Sequence, residues 1–240
     1  MTGGAAAPER RGALSGKPKL CAWTAAGALG VLCVFGRATA DDDAGWRVLA
    51  REQGITVTTR DEPGSGMLSF RGQGNVKGPV LQLLAIIIDD ARAPQWAKNA
   101  DESKLLKTVD MHTQIVYSRS DQPWPVRDRD LVMKRTIEVR KPGEEYRVRL
   151  VCIQGEKPEL PSVVRIGRCE TVFQLRKADD ATTFVDYRVR VDPGGGNPDW
   201  LVRMASKSIP LETLLGLRRQ VDKTKGQYEA VMRQWANDAG

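Results

Sequence analysis

The chain has 240 residues, a length suited to one domain or at most two, and a formal charge of +7. Five of its 37 Lys and Arg and one of its 30 Asp and Glu fall in the first forty residues, so the remaining 200 carry 32 bases against 29 acids, or only +3. No Lys/Arg cluster interleaves with aromatic residues, which sets nucleic acid aside as a partner, and about 200 residues bury a substantial core without metals or staples.

In chain order, Arg10, Arg11, Lys17 and Lys19 precede an uncharged, mostly apolar run from Leu20 to Gly36. Ala38-Thr39-Ala40 then offers small residues where a signal peptidase reads, followed by Asp41-Asp42-Asp43. This layout predicts a secretory signal peptide over residues 1–40 and a mature domain over 41–240. An uncleaved anchor is the alternative, but the run is shorter than the roughly 20 residues of a membrane span. Leu32 stands before Cys33 where lipidation wants a small residue.

Asp43 to Gln53 reads as a short helix with acids at its start and Gly54 as its stop. Residues 55–59 and 67–71 read as strands flanking an Asp-Glu-Pro-Gly-Ser-Gly turn. Pro79 to Asp90 is an apolar helix with Pro79 in its first turn, and Ala91 to Ser103 is a loop or short helix carrying Trp96. Strands follow over 105–118, 130–140, 145–153, 163–176 and 182–192. After a Gly/Pro loop from Asp192 to Pro198, residues 198–207 and 210–235 are helical. Sequential strands with short turns predict a mostly antiparallel sheet. Helices segregated at its ends make the fold α+β.

Alternation along the strands assigns their faces. The odd set Val109, Met111, Thr113, Ile115 and Tyr117 reads as inward, opposite Asp110, His112 and Gln114. The sets Leu131–Met133–Arg135–Ile137–Val139, Tyr146–Val148–Leu150–Cys152, Cys169–Thr171–Phe173–Leu175 and Val185–Tyr187–Val189–Val191 read the same way. His112, the only histidine, falls on the wet face. Arg135 breaks its apolar stripe, and a buried charge is costly unless paired. Either its stem packs inward while its head reaches a carbonyl or a stray carboxylate, or the guanidinium faces a polar group of an enclosed ligand. No Asp or Glu lies on the inner face of the neighbouring strand, which favours the ligand.

Cys152 and Cys169 read equally as a disulfide in an exported protein or as two small buried hydrophobes. Two thiols and one histidine make no ligand spacing for a metal, and no nucleophile–base set or phosphate loop can be assembled, so no cofactor is expected. Gly194-Gly195-Gly196 is followed by Pro198 and Trp200, and reads as a turn from sheet to helix. Trp96, Trp124 and Trp200 read as core or cavity wall.

Two segments, Pro123-Trp-Pro-Val-Arg-Asp-Arg-Asp130 and Asp192-Pro-Gly-Gly-Gly-Asn-Pro-Asp-Trp-Leu-Val202, join Trp46, Gly54-Ile-Thr-Val57, Trp96 and Val163-Val-Arg-Ile166 in one order. In that order and spacing the chain resembles the START domain, the steroidogenic-acute-regulatory-related lipid-transfer family, over residues 43–235. The resemblance implies a helix-grip fold, a curved antiparallel sheet wrapped on a long C-terminal helix with an internal apolar cavity for one sterol, phospholipid or similar lipid. It implies no catalysis, and a lid formed by the Gly194–Gly196 loop and the start of the last helix. Carried over, Arg129 and Asp130 match the pair that opens the central strand, and Arg165 matches a frequent structural arginine. Arg135 matches a cavity arginine whose usual acidic neighbour is replaced here by Thr113. Arg135, Thr113 and Tyr117 are then expected at the lipid's polar end, with Met111, Met133, Phe173, Tyr187 and Leu215 along its apolar body. A signal peptide on such a domain implies a periplasmic carrier with transient membrane contact, and the lack of an exposed apolar seam in the sequence makes a monomer the expectation. A cyclase- or aromatase-like enzyme of the same superfamily, or a ligand-free interaction scaffold, are the alternatives.

Overall fold

A computed structural model of the chain describes residues 45–98, 100–193 and 199–238. The expected leader over residues 1–40 and the Gly194–Gly196 loop lie outside the described residues.

The first element is a strand. Arg47–Glu52 (β1) pairs antiparallel with Ile55–Arg60 (β2). The link is Gln53-Gly54 with both residues at positive φ, 51° and 71°, the backbone of a tight hairpin turn that matches strand twist. The expected helix over 43–53 is therefore corrected: Gly54, expected as a helix stop, is a hairpin turn. Leu68–Lys77 (β3) follows, then helix α1, Val80–Ile88, and a 3-10 helix, Asp90–Gln95. The single strand expected over 105–118 is two, Glu102–Thr108 (β4) and Thr113–Ser120 (β5), folded back at 109–112. Arg129–Lys141 (β6) and Glu145–Cys152 (β7) come next. The stretch expected as one strand over 163–176 also divides, into Val164–Arg165 (β8) and Cys169–Asp179 (β9). Thr182–Val191 (β10) completes the sheet, and helices α2, Asp199–Lys223, and α3, Glu229–Ala236, end the chain.

The sheet runs β1-β2-β3-β10-β9-β7-β6-β5-β4, antiparallel throughout, with β8 added parallel to β6. Sheet and helices make the α+β helix-grip architecture. Helix α1 is apolar but for Gln82, whose amide donates to the Val221 carbonyl at 3.0 Å, because it is packed on most sides. Leu83, Leu84 and Ile86 are fully buried, each worth about 1.5–3 kcal/mol, and α1 touches β7, β9, β10, α2 and α3. Helix α2 is continuous through Pro210, where two helices were expected. Pro210 sits directly over Gly72 of β3, so close that a Cβ on Gly72 would lie 2.9 Å from the proline Cβ.

Cys152 and Cys169 form a disulfide with their Cα atoms 5.0 Å apart. It joins the end of β7 to the start of β9 and closes the loop that carries β8. Constraining a loop of this length in the unfolded chain stabilises by about 3 kcal/mol.

Candidate functional site

The antiparallel register places one row of residues straight across the concave face. Gln114 of β5 pairs with Arg135 of β6, Arg135 with Leu150, Leu150 with Thr171, Thr171 with Val189 and Val189 with Phe70. All but Gln114 wall a cavity of about 850 Å³. Its other walls include Leu131 and Met133 of β6, Phe173 of β9, Tyr187 of β10, Trp96 and its neighbours after the 3-10 helix, and Val202, Ile209 and Thr213 of α2. The aromatic side is ordered. Phe173 stacks on Tyr187 at 4.6 Å between ring centroids, and Trp96 meets Phe173 edge-on at 6.1 Å. Burial pushes the Tyr187 phenol far above its ordinary range, against a hydrogen bond with Thr213 that pulls it down, so the ring stays neutral at physiological pH.

Arg135 is 1% exposed and already paired. Its Nη1 and Nη2 donate to the two oxygens of Asp90 at 2.9 and 2.8 Å, its Nε donates to Gln114 Oε1 at 2.8 Å, and Nη2 reaches the Ile88 carbonyl at 3.3 Å. The bidentate fork is the strong form of this pair. The acid missing from the neighbouring strand is supplied by the turn after α1. An acid there opposes the helix dipole, and Asp89-Asp90 behind an almost wholly apolar helix was the signal that a cation would meet it. Asp89 is engaged too, accepting from the Tyr228 hydroxyl at 2.7 Å. That hydroxyl is raised to about 12 by burial and by the carboxylate.

Of the expected site residues, Arg135, Met133, Phe173 and Tyr187 line the cavity. Thr113 and Tyr117 do not. Thr113 pairs with Thr136, and Tyr117 faces the opposite side of β5, packed with Ile115, Val132 and Ile153. The face assignment of β5 is thus corrected: the even residues Val116, Ser118 and Ser120 line the cavity. The odd face is apolar because the 153–168 loop covers it, with Lys157 Nζ 4.7 Å above the Tyr117 ring. Beneath that loop Arg165 donates to both oxygens of Asp130 at 2.7 and 2.9 Å, the structural role expected of it. Burial, with the Asp130 carboxylate, raises the Tyr117 phenol. Met111 packs at the margin of the main core, and Leu215 packs into that core beyond the α2 residues that line the cavity.

His112 is half-buried rather than open on a wet face. Its ring meets Trp235 edge-on at 5.4 Å, Nδ1 lies 3.0 Å from the Ile137 carbonyl, and Nε2 lies 3.0 Å from an Asp238 oxygen. It fastens the C-terminal helix to the turn between β4 and β5. Among the described residues no group of three His, Cys, Asp or Glu is placed to hold a metal, and no helix is long and apolar enough to cross a membrane.

Comparison with known proteins places this geometry. The family model described as START domain matches residues 28–225. An uncharacterized protein of Pseudomonas aeruginosa is 32% identical over 198 residues, 82% of this chain and 95% of the relative. The phosphatidylcholine transfer protein of Bos taurus is 25% identical over 169 residues, 69% of this chain and 78% of its own. The crystal structure of a STAR-related lipid transfer protein fragment from Xanthomonas axonopodis superposes with a TM-score of 0.67 at 30% identity, covering 74% of this chain and 99% of the fragment. Human STARD10 gives the same TM-score at 16% identity, a likeness of fold. The match over most of the chain, and the walled cavity beneath α2, make this protein a member of the START domain family.

Proposed function

We propose that this protein is an exported, monomeric lipid carrier that encloses one apolar molecule and moves it between membranes without chemical change. The observation that carries the reading is the cavity itself. A space of about 850 Å³ lies between sheet and helix, within the range of pockets that bury most of a ligand of several hundred daltons. A ligand-free scaffold would fill that space with side chains. Each square ångström of ligand surface withdrawn from water contributes about 25 cal/mol. The relatives named for lipid transfer support the reading, and the Cys152–Cys169 disulfide suits an oxidising compartment such as the periplasm. Of the carboxylates on the described cavity wall, Asp90 is committed to Arg135, and Asp101, Asp121 and Glu212 stand around it.

The test is mass spectrometry of the protein exported from a native-like host, run intact under native conditions and again after organic extraction. The expected result is a mass of one chain plus one lipid. A clean protein mass, with no uptake from offered vesicles, sinks the reading.

Membrane contact is assigned to the loop between β5 and β6. Trp124 there is 93% exposed, and its neighbours Ser120, Gln122 and Pro123 line the cavity. An indole at this place suits the boundary between headgroups and acyl chains. Trp124→Ala is expected to weaken vesicle binding about tenfold with an unchanged unfolding midpoint, because the side chain packs on almost nothing. Equal binding by the variant in a vesicle-sedimentation assay would place the contact elsewhere.

A further inference from the structure

We infer that the enclosed molecule lies with its polar end outward, toward the loop between β5 and β6, and that the Ser118 hydroxyl is the group that positions that end. The inference rests on the carrier reading above and adds to it the orientation of the cargo and the residue that sets it.

The strand register orders the wall by depth. On β6, Arg135, Met133, Leu131 and Arg129 follow one another toward the β5–β6 loop, and their partners on β5 are Gln114, Val116, Ser118 and Ser120. Each step of two residues is about 7 Å, so Ser118 stands about 13 Å outward of the Arg135 row. The first step is apolar, Val116 against Met133. The next two are polar. Ser118 pairs with Ser103 of β4, and Ser120 pairs with Arg129. Asp101, Asp121 and Gln122 continue this wall to the loop.

The inner end offers little to a polar group. Arg135 is 1% exposed and held by Asp90, Gln114 and the Ile88 carbonyl. The Tyr187 hydroxyl is bonded to Thr213. The Thr171 hydroxyl is open, but it stands between Leu150 and Val189. A polar group buried there would give up water for almost nothing, which is costly, whereas Phe173, Tyr187 and Ile87 of the same end suit an apolar body.

Ser118 differs from its neighbours in being available. Ser120 accepts from the Gln122 amide at 2.6 Å, and Ser103 reaches Asp90 at 3.5 Å. Ser118 is half-buried and lines the cavity. Its hydroxyl meets no partner among the described residues and is not sealed from the cavity. A hydroxyl donates and accepts, so it serves a hydroxyl, carbonyl or phosphate oxygen alike. Arg129 against Asp101 and Asp121 gives this end both signs, as Lys98 and Glu212 do on the side wall. The wall therefore sets where the polar end sits and leaves its charge open.

The experiment uses the full chain labelled with ¹⁵N and two pairs of nitroxide probes. Phosphatidylcholine and stearic acid each carry the label either near the polar group or at the end of an acyl chain. The polar-end label is expected to broaden the amide signals of Ser118, Ser120 and Leu131 more than those of Phe173 and Tyr187, and the chain-end label to do the reverse. Ser118→Ala is expected to weaken binding of the unlabelled probe about fivefold with an unchanged urea midpoint, because the hydroxyl holds nothing within the protein. Ser118→Thr should restore the affinity, and Thr171→Ala should cost less than Ser118→Ala.

The failures are distinguishable. If the parent binds neither phosphatidylcholine nor stearate, the carrier reading falls and this inference with it. If a probe binds and its polar-end label broadens Phe173 and Tyr187 instead, the cargo lies the other way round. Equal broadening of both sets by both labels would mean no fixed orientation. If the orientation is as expected but Ser118→Ala binds as tightly, or loses stability along with affinity, another group positions the polar end.

Discussion

Asp90→Ala is expected to destabilise the protein by about 3–5 kcal/mol, the largest effect of any single substitution considered for the cavity wall. The reason is what remains behind. Arg135 is 1% exposed and a guanidinium carries a permanent charge, so removing its carboxylate leaves that charge buried against Leu150 and the α1 carbonyl end. Gln114 and the Ile88 carbonyl still accept from it, but neither carries a counter-charge. Arg135→Met should cost less, because Asp90 lies at the cavity margin, is less completely buried and has Ser103 at hand. The double variant Arg135→Met, Asp90→Ala should then lie near Arg135→Met alone, since replacing both members of a buried pair with apolar groups is far milder than removing one. Urea unfolding of the four proteins gives the coupling energy directly, provided the m-values agree. Losses that simply add in the double variant would mean the two side chains do not act as a pair.

That pair also marks where reading the sequence succeeded and where it stopped. Alternation found the inner faces of β6, β7, β9 and β10, because each has one apolar and one charged side and a register shift would invert both. It failed for β5, where both sides are covered. Ser118 and Ser120 face the cavity while Ile115 and Tyr117 face the 153–168 loop, so the more apolar side is the wrong guide. The misplacement of Thr113 and Tyr117 follows from that one inversion. Arg135 was legible as an anomaly in an apolar stripe. Its partner was not, because Asp90 comes from 45 residues earlier and from a 3-10 turn, and only the tertiary fold brings it across. The opening strand was misread for a local reason. Residues 47–52 have no apolar period to betray a strand, being almost wholly exposed along the edge of the sheet, while acids followed by a glycine mimic the signals of a short helix. The overall order of strands and helices was legible through its turns and through the spaced Trp, Pro and Arg-Asp segments that resemble the START family.

Gly216→Ala is the second substitution expected to act strongly, and it sets two general effects against each other. In an exposed helix, exchanging glycine for alanine stabilises by about 1 kcal/mol. Here α2 crosses the Trp96 backbone without room for a side chain. An alanine Cβ would lie 2.0 Å from the Trp96 oxygen, 2.8 Å from its carbonyl carbon and 3.0 Å from its Cα. Backbone atoms cannot rotate aside as a side chain would, so either α2 lifts or the segment around Trp96 moves. Overpacking of this kind costs about 3 kcal/mol, and the clash outweighs the gain in helix propensity. The displaced elements both wall the cavity, through Trp96 on one side and Ile209 and Thr213 on the other, so lipid affinity should fall together with stability. Gly167→Ala is the matched control. A Cβ there meets only Gln154 Nε2 at 3.6 Å, an ordinary contact, and its midpoint should stay within about 0.5 kcal/mol of the parent. Should Gly216→Ala unfold at the parent's urea concentration, α2 does not rest on Trp96.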